Sequence, residues 1–174
     1  MPNRMQQRGQ KFVLNSQSVS YVGRLPTDAA DGVGVFYNAD LRLKYCGEFR
    51  NDRFDGAGVH DYSSGNRYLG EFKDGSRSGA GAYEFASGSR YWGEYKEDKR
   101  SGSGLYTWPD GKAFWGEFQN DMPDGVAISV ASGIMLFERW NNGEKLSGVP
   151  FDGSNADHHK TLRQAQDAKV TYTS

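Results

Sequence analysis

The sequence predicts an all-β fold: an elongated single-layer antiparallel meander of stacked β-hairpins, with a candidate short helix near the C-terminus. Three observations indicate this fold class. A segment repeats every 23 residues, aromatic residues alternate with glycine inside each copy, and tight-turn sequences close the copies. Aromatics reach 14% of a chain that has few aliphatic residues. The apolar surface is therefore expected to come from rings and not from a thick aliphatic core.

The repeat is visible when the chain is aligned on the pattern aromatic-x-Gly. Four copies follow one another without gaps, at 45–67, 68–90, 91–113 and 114–136. An earlier copy begins at Tyr21 and is one residue longer, and a frayed copy follows at Trp140. Because the terminal units of a repeat array cap it, departures from the pattern are expected at both ends.

Each copy has the pattern of a β-hairpin. The first strand reads YxGEF, and a polar loop such as NDRFDG (51–56) or EDKRSG (97–102) follows it. The second strand is expected to begin at Gly-x-Gly and to end in a tight turn. At Pro109-Asp110-Gly111, for example, proline presets φ and glycine supplies a positive φ. Consecutive hairpins without gaps should pair edge to edge, which gives one long meander.

The glycines and rings are expected to complement each other across the sheet. Alternation along a strand places Tyr45, Gly47 and Phe49 on one face, and Gly58 and His60 share a face on the second strand. The ring of one unit is then expected to fill the space that the glycine of another unit leaves, and aromatic pairs add about 0.5–1.5 kcal/mol beyond their buried area. This complementarity explains why a strand would tolerate so much glycine.

These residues resemble the MORN (membrane occupation and recognition nexus) repeat, whose motif is Tyr-x-Gly-Glu-aromatic, a loop, and then Gly-x-Gly. The first full copy carries the motif at Tyr45, Gly47, Glu48, Phe49, Gly56 and Gly58. The copies at Tyr68 and Tyr91 match it throughout, whereas Ala127 replaces the last glycine in the fourth copy. The copy at Tyr21 has Arg24-Leu25 where the motif has Glu-aromatic.

Three regions follow from the repeat and its resemblance. Residues 1–20 are an N-terminal arm that could contain a half repeat, residues 21–148 are the repeat sheet, and residues 149–174 are a tail. The tail has good helix formers over 156–170, with a cap at Asn155 or Asp157. A single sheet needs something to cover its apolar face. The sequence leaves open whether this tail or a partner protein covers the ring-lined face.

Two sets of residues are candidates for binding. The first is an aromatic face for protein partners: Tyr62, Tyr68, Tyr83, Phe85, Tyr91, Tyr106 and Trp108. The second is a basic rim for acidic lipids or acidic partners: Arg53, Arg77, Lys99 and Arg100. Acidic residues in the same loops dilute the potential of this rim, and its other interpretation is a solvated edge that prevents aggregation.

We expect no catalytic residue, no cofactor and no metal site. The glutamates that recur every 23 residues, at Glu48, Glu71, Glu94 and Glu117, are interpreted as hydrogen-bond acceptors for a neighbouring turn or strand. The adjacent pair His158-His159 does not converge on one ion when it lies on a helix. A net charge of −1 and a pI near 6.3 give no electrostatic footprint for nucleic acid.

The resemblance implies a non-catalytic scaffold or adaptor that binds other proteins within a cytoskeletal or ciliary (axonemal) assembly. The alternative is a peripheral membrane tether that binds acidic phospholipids through its loop Arg and Lys residues. Homodimerisation through the open sheet edges is a further expectation. A single cysteine, Cys46, and no apolar run for a signal peptide or a membrane span predict a cytoplasmic protein. The resemblance implies a location at the cytoskeleton, cilium or flagellum.

Overall fold

The structure, a computed structural model, describes residues 12–14, 19–23, 30–37 and 42–173. Thirteen strands and one helix occupy these residues. The strands are β1 Phe12–Leu14, β2 Val19–Gly23, β3 Gly32–Tyr37, β4 Leu43–Arg50, β5 Arg53–Asp61, β6 Arg67–Lys73, β7 Ser76–Glu84, β8 Arg90–Lys96, β9 Lys99–Thr107, β10 Ala113–Gln119, β11 Met122–Ala131, β12 Ile134–Asn141 and β13 Glu144–Pro150, and the helix is α1 Ala156–Thr173.

The strands form a single open antiparallel sheet in which the order of strands follows the order of the chain. The predicted fold class, a single-layer meander of hairpins with a C-terminal helix, is therefore confirmed. The chain divides into two compact units, residues 1–78 and 79–174, and β7 begins in the first and ends in the second. The two units are described separately below. The turn of the predicted N-terminal half repeat lies outside the described residues.

The loop inside each hairpin is shorter than the sequence suggested. The chain turns between β4 and β5 at Asn51-Asp52, whose φ angles are 48° and 64°, and between β8 and β9 at Glu97-Asp98, at 51° and 66°. Two consecutive positive φ values are what a two-residue type I′ turn requires. The prediction of a polar loop over 51–56 and 97–102 was wrong, because four of those six residues already belong to the second strand.

In the first unit, a buried tyrosine packs inside the hairpin of the first full copy of the repeat. Tyr45 is 0% exposed, and its Oη donates a hydrogen bond to the backbone oxygen of Glu48 at 2.9 Å. A Cβ atom added to Gly47 would lie 2.6 Å from this Oη, and Gly58 leaves room for the same ring. Ring and glycine therefore complement each other inside one hairpin, and the prediction that the ring of one unit fills the space left by the glycine of another was wrong for this copy. We call this arrangement the tyrosine lock.

The second unit contains the same lock around Tyr91. This side chain is also 0% exposed, and its Oη donates to the backbone oxygen of Glu94 at 3.4 Å. Gly93 and Gly104 face each other across β8 and β9, and a Cβ on either would collide with the hydroxyl end of Tyr91. In both units, therefore, a buried tyrosine packs over the two glycines of its own hairpin.

Two of the recurring glutamates, Glu48 and Glu94, have the structural role that the sequence suggested. The backbone N–H of Ala57 donates to Oε1 of Glu48 at 3.0 Å, and the N–H of Ser103 donates to Oε1 of Glu94 at 3.2 Å. The residue just before each donor is a glycine with positive φ, Gly56 in one case, whose missing Cβ leaves space for the carboxylate. Each glutamate therefore satisfies backbone N–H groups where the ladder shifts register.

The fourth copy departs from the motif at two positions that both border Gly116. Phe114 stands where the earlier copies have tyrosine, and Ala127 stands where they have the last glycine. The Cβ of Ala127 occupies the space beside Gly116 that a tyrosine hydroxyl would otherwise enter. Because phenylalanine has no hydroxyl, the methyl group is accommodated. The two departures from the motif therefore compensate each other.

Neighbouring copies are tied together through their turns. The backbone N–H of Asp52 donates to the carbonyl of Ala30 at 3.1 Å, and the N–H of Ala30 donates back to the Asp52 carboxylate. In the second unit, the N–H of Asp121 donates to the carbonyl of Arg100 at 3.0 Å, and the N–H of Arg100 donates to the Asp121 carboxylate at 3.0 Å. Each turn thus anchors the second strand of the preceding copy.

The C-terminal helix begins at the predicted cap. Oδ1 of Asn155 accepts hydrogen bonds from the backbone N–H groups of Asp157 at 2.9 Å and His158 at 3.3 Å, which satisfies two donors of the first helical turn. Of the two candidates, Asn155 is therefore the N-cap. The helix α1 extends to Thr173, three residues beyond the predicted end.

The helix packs on the face of the second unit opposite to the glycines and tyrosines. The imidazole of His158 stacks on Phe137 with ring centroids 4.2 Å apart, and α1 lies against β8, β9 and β11. Trp115 and Ile128 lie in the same cross-strand row as Phe137, and both are buried. The hypothesis that the tail covers the ring-lined face was wrong, because side chains alternate and this row points to the other side.

Candidate functional site

The face that carries the tyrosine locks also carries a second layer of rings, and we call it the ring face. In the first unit, Phe54 stacks on Tyr45 with centroids 3.7 Å apart and planes 9° apart. His60 lies 5.4 Å from Phe54 and 4.2 Å from Tyr62. His60 occupies the position that a tyrosine, Tyr106, holds two copies later. The ring face of the first unit therefore includes a titratable ring.

Burial among these rings lowers the pKa of His60 below its ordinary value of 6.5, and Lys44 and Arg77 act in the same direction, whereas Asp61 opposes them. A lowered pKa means that the unfolded chain binds a proton at His60 more readily than the folded chain does. The folded state consequently has its full stability above about pH 6.5 and loses part of it as the pH falls toward the lowered pKa.

We expect acidification from about pH 7.5 to about pH 5 to lower the urea midpoint of the first unit, because protonation of the unfolded state is favoured. The His60→Tyr variant, which installs the ring that Tyr106 provides later, should show a smaller shift. Urea unfolding followed by circular dichroism measures both midpoints. An equal pH shift in the variant would show that other groups cause the effect.

In the second unit, the outer rings form a continuous ladder. Ring centroids are 4.7 Å apart between Tyr83 and Phe85, 5.5 Å apart between Phe85 and Tyr106, and 4.4 Å apart between Tyr106 and Trp108. All four rings are partly accessible, and Trp108 is 40% exposed. One copy later, Ser129 and Ala131 take the positions of Tyr106 and Trp108. The ladder therefore ends at Trp108.

A cavity of about 260 Å³ opens on the ring face where the ladder ends. We call it the aromatic groove. Its lining residues are Arg100, Tyr106, Trp108, Phe114, Phe118, Asp121, Pro123 and Trp140. Phe114 lies 5.7 Å from Phe118 and 5.8 Å from Trp140, centroid to centroid. Five of the eight lining residues are aromatic, so the groove suits apolar ligand groups that can pack against rings.

A buried carboxylate fixes one side of the groove. Nε1 of Trp140 donates to Oε2 of Glu138 at 3.0 Å, while the hydroxyl of Ser129 donates to Oε1 of the same residue at 2.8 Å. Lys145 forms an ion pair with this carboxylate, which compensates its burial. These contacts hold the indole of Trp140 in place before any ligand arrives, which reduces the entropy lost on binding.

The predicted aromatic binding set separates into two groups in the structure. Tyr68 and Tyr91 are 0% exposed and form the locks of their copies, so their rings offer no surface to a partner. The remaining residues are partly accessible on the ring face: Tyr62 in the first unit, and Tyr83, Phe85, Tyr106 and Trp108 in the second. Sequence alternation predicted the shared face but did not distinguish its inner and outer rings.

The four residues of the predicted basic rim also fall into two groups, one exposed and one packed against rings. Arg53 is exposed and lies 3.6 Å from Asp74, and Lys99 is exposed as well. The guanidinium of Arg77 instead lies 5.8 Å from the ring centroid of Tyr68. Arg100 likewise lies 5.2 Å from the ring of Phe118 and forms an ion pair with Asp121. Two of the four cations are therefore part of the ring packing.

Sequence reasoning missed three residues that build this face. Phe54 was placed in a loop, Trp140 was assigned to a frayed copy, and Glu138 was not considered. The position of Phe54, nine residues after the lock tyrosine, is occupied in later copies by Arg77, Arg100 and Pro123. A column of side chains suited to covering a ring was therefore present in the alignment.

The described part of the chain has neither a metal-binding cluster nor a helix that could span a membrane. No group of three or more His, Cys, Asp or Glu residues there could hold a metal ion. Over the same residues, no helix combines the length and the apolar character that a bilayer crossing requires. The cysteine, Cys46, is exposed and forms no disulfide bond.

The fold and the ring face define a repeat protein built from a single β-layer. The family model of the MORN repeat matches residues 45–67, 68–90 and 91–113, so this part of the chain consists of three consecutive MORN repeats. The MORN repeat is non-enzymatic, and it occurs in proteins that bind other proteins or associate with membranes. No curated protein matches the sequence.

Proposed function

We propose that the protein is a non-catalytic scaffold that docks other proteins on its ring face, within a cytoskeletal or ciliary (axonemal) assembly in the cytoplasm. The observation that carries the proposal is the ladder of accessible rings in the second unit, from Tyr83 to Trp108, together with the aromatic groove at its end. Aromatic side chains are the residues that most often dominate the energy of protein interfaces.

The position of the helix supports this proposal. Because α1 lies on the opposite face, the apolar row that contains Trp115 and Phe137 is already covered within the chain. The accessible rings of the second unit are therefore left for a partner. A rigid strip of rings also suits recognition, since tyrosine and tryptophan give a large contact area at a small cost in side-chain entropy.

The test is the capture of partner proteins from native cells by the purified chain, read by mass spectrometry. The double variant Tyr83→Ala with Tyr106→Ala should lose most of the captured proteins, because it removes two of the four rings of the ladder. The double variant Arg53→Glu with Lys99→Glu serves as the matched control, since it changes two exposed cations and leaves the ladder intact.

Thermal unfolding of both variants must accompany the capture, because Tyr83 and Tyr106 are partly buried and also support the sheet. A folded ring variant that still captures the same proteins as the original chain would contradict the proposal. An equal loss in the charge variant would assign binding to the basic residues instead.

The alternative function, a tether to acidic phospholipids, is separated by the same charge variant. A tether should sediment with acidic vesicles and should lose that sedimentation when Arg53 and Lys99 become glutamate. The packing of Arg77 and Arg100 against rings leaves fewer cations for lipid headgroups. We therefore favour the protein scaffold.

A second copy of the chain is a further candidate partner at the sheet edge. All seven residues of β13 are exposed, and Leu146 and Val149 present apolar side chains there. An open edge of this kind can pair with another strand. Analytical ultracentrifugation tests whether the chain dimerises. A chain that is still monomeric at about 100 µM would exclude a dimer with a dissociation constant below that concentration.

A further inference from the structure

We propose that the aromatic groove binds an uncharged proline-rich segment in the polyproline II conformation. The proposal deepens the proposed function and rests on it, because it specifies the chemistry of the partner at one place on the ring face. Four properties of the groove support the proposal: its size, the hydrogen bonding of the surrounding backbone, its charge, and the stacking of its rings.

The groove is an open depression that takes single rings and does not enclose a whole helix. Its volume is about 260 Å³, whereas an α-helix with its side chains is about 10–12 Å across. Single rings fit a space of this size. A polyproline II segment presents a ring at each proline and repeats about every three residues, so it can place one or two prolyl rings against Tyr106, Trp108 and Trp140.

The backbone around the groove is already paired. The strands β9, β10 and β11, which supply most of the lining residues, each have hydrogen-bonded neighbours on both sides. A peptide that lies on this face therefore cannot join the sheet as an added strand. A polyproline II segment needs no such pairing, because its backbone has no internal hydrogen bonds and proline has no N–H to satisfy.

The charges at the groove favour an uncharged ligand. Nε of Arg100 lies 3.1 Å from Oδ1 of Asp121, and Nη2 of Arg100 donates to the backbone oxygen of Asp121 at 2.7 Å. The two opposite charges thus compensate each other at one end of the groove. An acidic or basic ligand would have to disrupt this pair, whereas an uncharged prolyl ring complements it.

The ring walls are held in place before binding. Trp108 packs on Tyr106 at 4.4 Å, and Glu138 anchors the indole of Trp140. Prolyl rings bind well to fixed aromatic faces, and proline-rich segments lose little conformational entropy because they are already extended. The groove therefore offers a rigid aromatic surface to a ligand that is itself stiff.

The test is a titration of the full chain with a polyproline peptide of about ten residues, followed by calorimetry and by tryptophan fluorescence. A Gly-Ser peptide of the same length is the control ligand. We expect the polyproline peptide to bind at least tenfold more tightly than the Gly-Ser peptide. Equal binding, or no binding of either peptide, would overturn the proposal without any variant.

The variant Trp108→Ala locates the site. Trp108 is 40% exposed, so its replacement should leave the fold intact, and it should weaken polyproline binding at least tenfold. The matched control is Tyr62→Ala, which removes the ring at the equivalent position of an earlier copy, outside the groove. An equal loss in both variants would contradict a specific site at the groove.

The outcomes of these experiments also distinguish a failure of the polyproline proposal from a failure of the proposed function. If polyproline does not bind but ring-face variants still lose the captured cellular proteins, the proline-rich ligand is wrong and the scaffold function stands. If the ring-face variants lose nothing either, both proposals are wrong.

Discussion

Replacement of Gly104 by alanine is expected to destabilise the second unit by about 3 kcal/mol or more. A Cβ at this position would lie 2.5 Å from the Cε2 atom of Tyr91 and closer still to its hydroxyl. Tyr91 is completely buried and its hydroxyl donates to the Glu94 carbonyl, so the ring has no free space into which it can move. Urea unfolding followed by circular dichroism measures the loss.

The natural fourth copy supplies the control for this prediction. Phe114 and Ala127 occupy the positions of Tyr91 and Gly104, and they coexist in the folded sheet. The double variant Gly104→Ala with Tyr91→Phe reproduces this pair and should recover much of the stability lost in the single variant. A single variant as stable as the original chain, or a double variant with no recovery, would show that the collision is relieved in another way.

Replacement of Trp115 by alanine should cost about 3–5 kcal/mol, which is the usual range for a buried tryptophan. Trp115 is 4% exposed on the face of the sheet that the helix α1 packs on, and its removal would leave a cavity in this packing. Loss of this support should also loosen the helix. Urea unfolding measures the stability, and limited proteolysis after Gly153 measures the release of the helix.

Trp92 provides the matched control, since it has the same side chain on the same face and is only partly buried. Its replacement by alanine should cost about 1–2 kcal/mol, well below the cost at Trp115. The Trp115→Phe variant tests another point, because Nε1 of Trp115 is buried with no hydrogen-bond partner. Removal of an unsatisfied donor should offset part of the lost packing. Equal costs at Trp92 and Trp115 would show that the deeper burial of Trp115 does not add to its contribution.

Much of the fold could be predicted from sequence because the repeat encodes it locally. The glutamate contact of Glu48 forms within one copy and was predicted as a contact to the adjoining turn or strand, whereas the tyrosine lock around Tyr45 was expected between copies and forms within one. The turn at Asn51-Asp52 was missed because neither residue is glycine, although both have positive φ. The turn at Glu97-Asp98 shows the same pattern. Asparagine and aspartate adopt this conformation more readily than most residues, so the Asn51-Asp52 pair was an available signal, whereas Glu97 offered none.

The side covered by the helix was also predictable in principle. Residues between those of the ring face become large and apolar in the later copies, at Trp92, Leu105 and Trp115. They form a second apolar face that needs its own cover. The aromatic groove could not be predicted in the same way. It depends on Trp140 and its contact with Glu138, which lie in a copy that no longer follows the motif.

The tyrosine lock has a consequence for how such a chain can change length. All its components, from Tyr45 to Gly58, lie inside a single segment of 23 residues. A duplicated segment would bring its own tyrosine lock. If a segment were deleted, the locks of the neighbouring segments would stay complete. Insertions and deletions of whole segments could therefore adjust the reach of the sheet in steps of about 10 Å, two strand spacings, without compensating substitutions elsewhere.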